Sequence, residues 1–231
     1  MELKKVINNV KNLGSKAIAV VGDIREEEIQ NKIVATAKEK YRRIDVLVNN
    51  AGLGKAAEFV NQLDEDIDTM IDTNLKALIK MTRKVLPIML NNNNGHIINI
   101  STSLVFMPNK IFSVYIATKA AVKNFSDSIR REMKKHGIEV TTAFPGPYST
   151  HFHEVAGFKN ASFKCFEVVR LVDELVKIIL MPKAELIVPY SYNPLMKILK
   201  LLPFVKNLVI MKIERLMDLQ LKKDRSIKTA P

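Results

Sequence analysis

The sequence predicts an α/β protein in which a parallel sheet carries helices on both faces. Three observations point there. Short apolar runs recur along the chain: A-I-A-V-V at 17–21, I-D-V-L-V at 44–48, I-I-N-I at 97–100, I-E-V-T-T-A-F at 138–144 and E-L-I-V at 185–188. Near-continuous apolar runs suit strands buried on both faces, as parallel strands are. Between them lie stretches with apolar residues at helical spacing, long enough to carry the chain back to the start of the next strand. The third observation is punctuation, since Gly, Asn, Asp and Pro gather directly after the strands.

Each element has its own signature. Residues 3–13 place Leu3, Val6, Ile7, Val10 and Leu13 at helical spacing, with Gly14 as a C-cap. After strand 17–21, a helix over 26–41 opens on Glu26, Glu27 and Glu28, which suit the positive end of its dipole. Its inner face is Ile29, Ile33 and Ala37. Strand 44–48 runs into Asn49-Asn50-Ala51-Gly52. A long helix over 64–90 begins at Asp64, placed to cap it, and carries the stripe Ile67, Met70, Ile71, Leu75 and Leu78. Asn74 falls inside that stripe, and a buried amide must find partners. Asn91 to Gly95 is a polar loop. The strand after it ends in Ser101, Thr102 and Ser103. A helix over 113–136 closed by Gly137, a strand at 138–144 stopped by Pro145-Gly146-Pro147, a helix over 166–180 and a strand at 185–188 complete one domain, residues 1–190. Residues 191–231 form a separate extension.

Composition narrows the function. The chain has 231 residues, 47% of them hydrophobic, with a formal net charge of +12. It is long enough to bury a substantial core. One cysteine, Cys165, permits no internal disulfide and fits a reducing compartment. No apolar run reaches the roughly 18 residues of a spanning helix, and the start M-E-L-K-K has no signal-peptide core, so a cytoplasmic protein is expected. The positive charge suits anionic ligands, but no motif or aromatic platform supports nucleic-acid binding.

Ligands of parallel α/β sheets gather at the carboxyl ends of the strands. The polar residues of this chain collect there: Gly22-Asp23, Asn49 to Gly52, Ser101 to Ser103, and Pro145 to Thr150. Tyr115 and Lys119 follow the third of these clusters, four residues apart on one helix face. A cation held near a phenol lowers its pKa from about 10, and such a pair can exchange a proton with a carbonyl or hydroxyl oxygen.

With D-V-L-V-N-N-A-G at 45–52, N-I-S-T at 99–102, Y-I-A-T-K at 115–119 and P-G-P-Y-S-T at 145–150, the chain resembles the short-chain dehydrogenase/reductase family of NAD(P)-dependent oxidoreductases, from residue 1 to about residue 190. The resemblance implies a Rossmann-like, doubly wound sheet. It implies that Tyr115 is the general acid or base, that Lys119 lowers its pKa and binds the nicotinamide ribose, and that Asn74 holds a relay water. Thr102 stands where the family has the serine that orients the substrate oxygen. Ser101 and Ser103 flank it as alternatives. By the same resemblance Asp23 and Ile24 border the adenine of NAD or NADP, Asn50, Ala51 and Gly52 line the cofactor, and Pro145, Gly146, Tyr148 and Thr150 surround the nicotinamide. The implied substrate is a small apolar carbonyl or secondary alcohol, with lipid metabolism as one setting. The helices at 64–90 and 113–136 are the implied dimer contact.

The chain departs from the family pattern in places. Val105 replaces a glycine and Tyr148 a smaller apolar residue. The first two strands and the glycine-rich turn that meets the cofactor pyrophosphate are absent from the sequence, which leaves open a second reading, a shortened, non-catalytic protein that binds a partner. With a neighbouring strand missing, strand 17–21 is expected to move inward and pair with 44–48, because an open apolar edge is unfavourable. The segment 193–231 carries nine basic residues (Lys197, Lys200, Lys206, Lys212, Arg215, Lys222, Lys223, Arg225, Lys228) against three acidic ones (Glu214, Asp218, Asp224). Apolar residues interleave with these, which suits either peripheral contact with an anionic membrane or a helix packed on the domain.

Overall fold

The computed structural model describes residues 2–148, 152–157 and 166–192, and beyond them residues 194, 207 and 210–212. Its helices are α1 (Glu2–Asn12), α2 (Glu27–Tyr41), α3 (Asp64–Ile71), α4 (Ala77–Asn91), α5 (Ser113–Met133), α6 (Phe152–Val155) and α7 (Val168–Leu180). Its strands are β1 (Val46–Asn49), β2 (Gly95–Ile100), β3 (Ile138–Pro145) and β4 (Glu185–Val188). The four strands pair in the order β1-β2-β3-β4, every pair parallel. The sequence therefore places its helices and four of its five predicted strands correctly. The tail and its membrane reading lie almost wholly outside the described residues.

Alternation along β2 assigns the two faces. Ile97 points to a cluster with Val85 and Met89 of α4 and Val140 of β3, against which Val34 of α2 and Ile129 of α5 also pack. Ile98 and Ile100 point the other way, to Leu186, Val188 and Ile178 of α7. All six β2 residues are buried. Each isoleucine so covered contributes about 1.5–3 kcal/mol relative to exposure.

Three expectations are corrected. Among the described residues, 17–21 form no strand and pair with nothing, and β1 is the edge of the sheet, bonded only to β2. An apolar run becomes a strand only when a neighbour accepts and donates its backbone bonds. Val48 in mid-β1 is accordingly 45% exposed. Helix α1 does form but ends at Asn12, short of the predicted 13, with Leu3 and Val6 exposed on it and Leu13 exposed beyond it. At the start of α3, Leu63 takes the N-cap position and no side chain caps it; Asp64 lies inside the first turn, where its charge suits the dipole.

A π-turn over Asp72–Lys76 joins α3 to α4 and turns Asn74 fully inward. Such single wide turns occur where a side chain must be aimed at a site. At the opposite end of the sheet, His96 Nε2 meets Thr141 Oγ1 at 2.7 Å, and burial holds its pKa below the usual 6.5. Its Nδ1 is buried without a hydrogen-bond partner. The unfolded chain thus binds more protons near pH 6, so the stabilising contribution of neutral His96 is present above about pH 6.5 and is lost as pH falls through the lower folded value. Urea unfolding at about pH 7.5 and about pH 5.5 should show a larger loss of stability in the wild type than in His96→Leu, whereas equal losses would clear His96 of the effect.

Candidate active site

The site lies at the carboxyl ends of β1 and β2, where α5 and the loop after β1 converge. One residue of α5 is bonded to the sheet twice. Lys119 Nζ donates to the Ile100 carbonyl at 2.9 Å, and Ser101 Oγ donates to the Lys119 carbonyl at 2.9 Å. One turn earlier, the Thr102 hydroxyl lies near enough to the Tyr115 phenol to lower its pKa against the effect of burial. Thr102 precedes a short 3₁₀ turn, Ser103–Val105, and its Oγ1 accepts from the Leu104 amide at 3.3 Å. Of the three hydroxyl residues, Thr102 is thus the one that acts on the phenol, while Ser101 is committed to the α5 backbone. Ser103 is buried beside them.

Asn74 pins the loop after β1. Its Oδ1 accepts from the Leu53 amide at 2.8 Å, and its Nδ2 donates to the Leu53 carbonyl at 2.8 Å and to Thr118 Oγ1 at 3.1 Å. Thr118 donates in turn to the Tyr115 carbonyl at 2.7 Å. Thr118 was not singled out by the sequence, although it lies within Y-I-A-T-K. Gly52 sits against both catalytic candidates, since a Cβ there would stand 3.0 Å from Lys119 Nζ and 3.1 Å from Asn74 Oδ1. A side chain at this position would therefore have to push the Lys119 ammonium or the Asn74 amide aside by a few tenths of an ångström.

Beside the site runs a cleft of about 190 Å³ lined by Ile24, Leu47, Val48, Asn50, Ala51 and Thr73, among others. It brings Ile24, Asn50 and Ala51 together as the sequence expects. Asp23 does not line it: its carboxylate accepts from the Arg25 amide, Nε and Nη2 at 2.6–2.9 Å, and Arg25 holds its pKa below the ordinary value. Gly146 continues the β3–β4 ladder, its amide donating to the Val188 carbonyl at 2.8 Å. Tyr148 is packed among Ile100, Val188 and Phe166 in a different apolar cluster from Tyr115. Thr150 lies outside the described residues.

The electrostatics run against one expectation. Burial pushes the Tyr115 phenol up to about 12, opposed by the nearby Thr102 hydroxyl. Burial also pulls the Lys119 ammonium down to about 8. Water exclusion therefore outweighs any help from the lysine charge. Phe112 and Phe152, their ring centroids 5.8 and 5.1 Å from that of Tyr115, supply much of the exclusion. Among the described residues no group of His, Cys, Asp and Glu is placed to hold a metal ion, and no helix is long and apolar enough to cross a membrane.

Comparison with known proteins agrees with this geometry. The family model for short chain dehydrogenases matches residues 1–159, and the chain belongs to that family. The NADP-dependent 3-hydroxy acid dehydrogenase YdfG of Salmonella typhi is 42% identical over 135 residues, 58% of this chain and 54% of that protein. An uncharacterized oxidoreductase of Staphylococcus epidermidis is 30% identical over 172 residues, 74% of each. Among solved structures, a short-chain dehydrogenase from Sphingobium yanoikuyae in complex with NADPH superposes with a TM-score of 0.75 at 28% identity, over 81% of this chain and 74% of that one. The match to the Salmonella enzyme spans about half of that protein's length.

The buried ammonium has a measurable signature. Between about 8 and 10.5 the unfolded lysine holds its proton more firmly than the folded one, so wild-type stability relative to Lys119→Met should climb across that window. Denaturant midpoints of the two proteins at several pH values measure it; a pH-independent difference would mean that Lys119 is not desolvated in solution.

Proposed function

We propose that this chain is an NADP(H)-linked carbonyl reductase, with Tyr115 as general acid, Thr102 as the group that orients the substrate oxygen and Lys119 as the cation beside the cofactor ribose. The reading rests above all on Tyr115 and Lys119 standing one helical turn apart at the end of β2, where Lys119 Nζ donates to the Ile100 carbonyl at 2.9 Å and the Thr102 hydroxyl lies near the phenol. A carbonyl oxygen that accepts from both hydroxyls is polarised where negative charge develops on reduction. Its carbon is then open to the hydride that a bound reduced nicotinamide supplies.

The raised phenol pKa supports a direction. At neutral pH Tyr115 keeps its proton, which suits donation to an alkoxide and disfavours the reverse abstraction. Asn74 acts through Leu53 and Thr118, holding the loop and the start of α5 in register. Ile24, Asn50 and Ala51 would border the cofactor, and the space above Gly52 would admit its ribose beside Lys119. These residues fit the two ends of a dinucleotide. The sequence holds no glycine-rich turn for the pyrophosphate between them. The NADP in the name of one relative and the NADPH bound to another favour the phosphorylated cofactor. The apolar surroundings of Tyr115 favour an apolar substrate, and the long helices α3–α4 and α5 are the surfaces through which two copies would pair.

Equilibrium dialysis of the purified chain against NADPH and NADH tests the reading. Saturable binding of NADPH is expected, and Tyr115→Phe should keep that binding while losing a factor of about 100 or more in kcat/KM for carbonyl reduction. No binding of either nucleotide would overturn the proposal.

A further inference from the structure

Tyr115 is covered by a residue that the sequence does not mark. Helix α6 is a single turn, and its first residue, Phe152, lies against the phenol. The two ring centroids are 5.1 Å apart with the planes at 48°, and Phe112 lies 6.4 Å from Phe152, stacked at 29°. The loop after β1 makes room for this packing. A Cβ on Gly54 would stand 2.6 Å from Phe152 Cζ and 3.3 Å from Tyr115 Cδ2, so only glycine leaves the two rings free to meet there. One backbone bond, from the Ala56 amide to the Ala156 carbonyl at 3.2 Å, ties α6 to the same loop. With Phe152 in place Tyr115 is only 7% exposed.

A proton donor so covered does not reach a substrate oxygen until something takes the place of the cover. What takes it must restore apolar contact with Tyr115, Phe112 and Leu53, or the displacement is left uncompensated. Aromatic contacts of this kind stabilise beyond the area they bury. A ring or branched chain next to the carbonyl restores them, whereas a short polar neighbour does not.

We propose that Phe152 is the specificity-determining residue of this site: its ring occupies the place of the substrate's apolar flank, and carbonyl compounds flanked by a ring or branched chain are selected because they replace its contacts with Tyr115 and Phe112. The inference rests on the reading of Tyr115 as the proton donor, but its test does not need turnover. The chain has no tryptophan and five tyrosines, so its near-ultraviolet emission comes from tyrosine, and subtraction of Tyr115→Phe isolates Tyr115.

Acrylamide quenching of that difference signal should be weak in the wild type and in Phe152→Leu, which keeps an apolar cover, and several-fold stronger in Phe152→Ala. Cyclohexanol, which is transparent and apolar, should restore the protection in Phe152→Ala; 2-propanol at the same concentration should not. Quenching that is unchanged in Phe152→Ala, or equal protection by both alcohols, would overturn the proposal. Quenching of the other four tyrosines should not change, which separates a lost cover from a lost fold. A failure to bind NADPH would count against the catalytic reading alone and leaves these quenching outcomes readable.

Discussion

Everything at the carboxyl end of β2 depends on how one buried lysine is held. Lys119 gives its ammonium to the Ile100 carbonyl and takes the Ser101 hydroxyl on its own carbonyl, so strand and helix are joined by two bonds of opposite sense. Those bonds fix how far α5 slides along β2, and Tyr115 then falls beside Thr102. Desolvating an ammonium costs several kcal/mol, and one hydrogen bond to a neutral carbonyl returns only part of that. Stability alone would favour an apolar residue here. The bare backbone of Gly52, 3.0 Å from the ammonium to where a Cβ would be, keeps space open next to a charge that the fold would be better off without.

Around that point the loops are fixed by amides. Asn49 Nδ2 donates to Asn99 Oδ1 at 2.8 Å and to Thr82 Oγ1 at 3.1 Å, and Asn99 Nδ2 donates to Ser126 Oγ at 2.9 Å. This line of bonds crosses from β1 through β2 to α5 within the apolar face. Asn74 makes the matching connection from the π-turn to Leu53 and Thr118. An amide can donate and accept at once, so a single residue satisfies a strand end and a helix together. Removing one would leave its partners buried and unpaired, at about 1–3 kcal/mol each. The same residues that satisfy these buried polar groups therefore set the geometry around Tyr115.

Much of this was legible in the sequence, and the illegible part has a physical reason. The spacing of Tyr115 and Lys119 predicts a shared face because helix geometry is local. Asn74 stands out because it interrupts an apolar stripe. Phe152 interrupts nothing. It lies in one isolated turn with no periodicity, and its importance comes from Gly54 and Phe112, which are distant in sequence. The phenol pKa escapes prediction for the same reason. Spacing puts a cation near the tyrosine and argues for a lower value, whereas burial among residues distant in sequence sends it the other way.

The failure at residues 17–21 is of a different kind. Helix α1, next to it in the chain, forms although Leu3 and Val6 on it are left exposed, Val6 at 56%. A helix satisfies its own backbone and needs no neighbour to exist. A strand meets only half of that requirement even when one neighbour is present. A-I-A-V-V has the composition of a buried strand, but among the described residues nothing pairs with it, so it remains irregular. Moving inward to reach β1 would drag α2 away from α4, to which Glu27 is joined by Lys84 at 2.9 Å and against which Val34 packs in the Val85 and Met89 cluster. Two open edges with α2 in place are thus preferred to one closed ladder with α2 displaced, because the helix packing buries side chains on both partners whereas a five-residue ladder would add only a few backbone bonds of about 1 kcal/mol each.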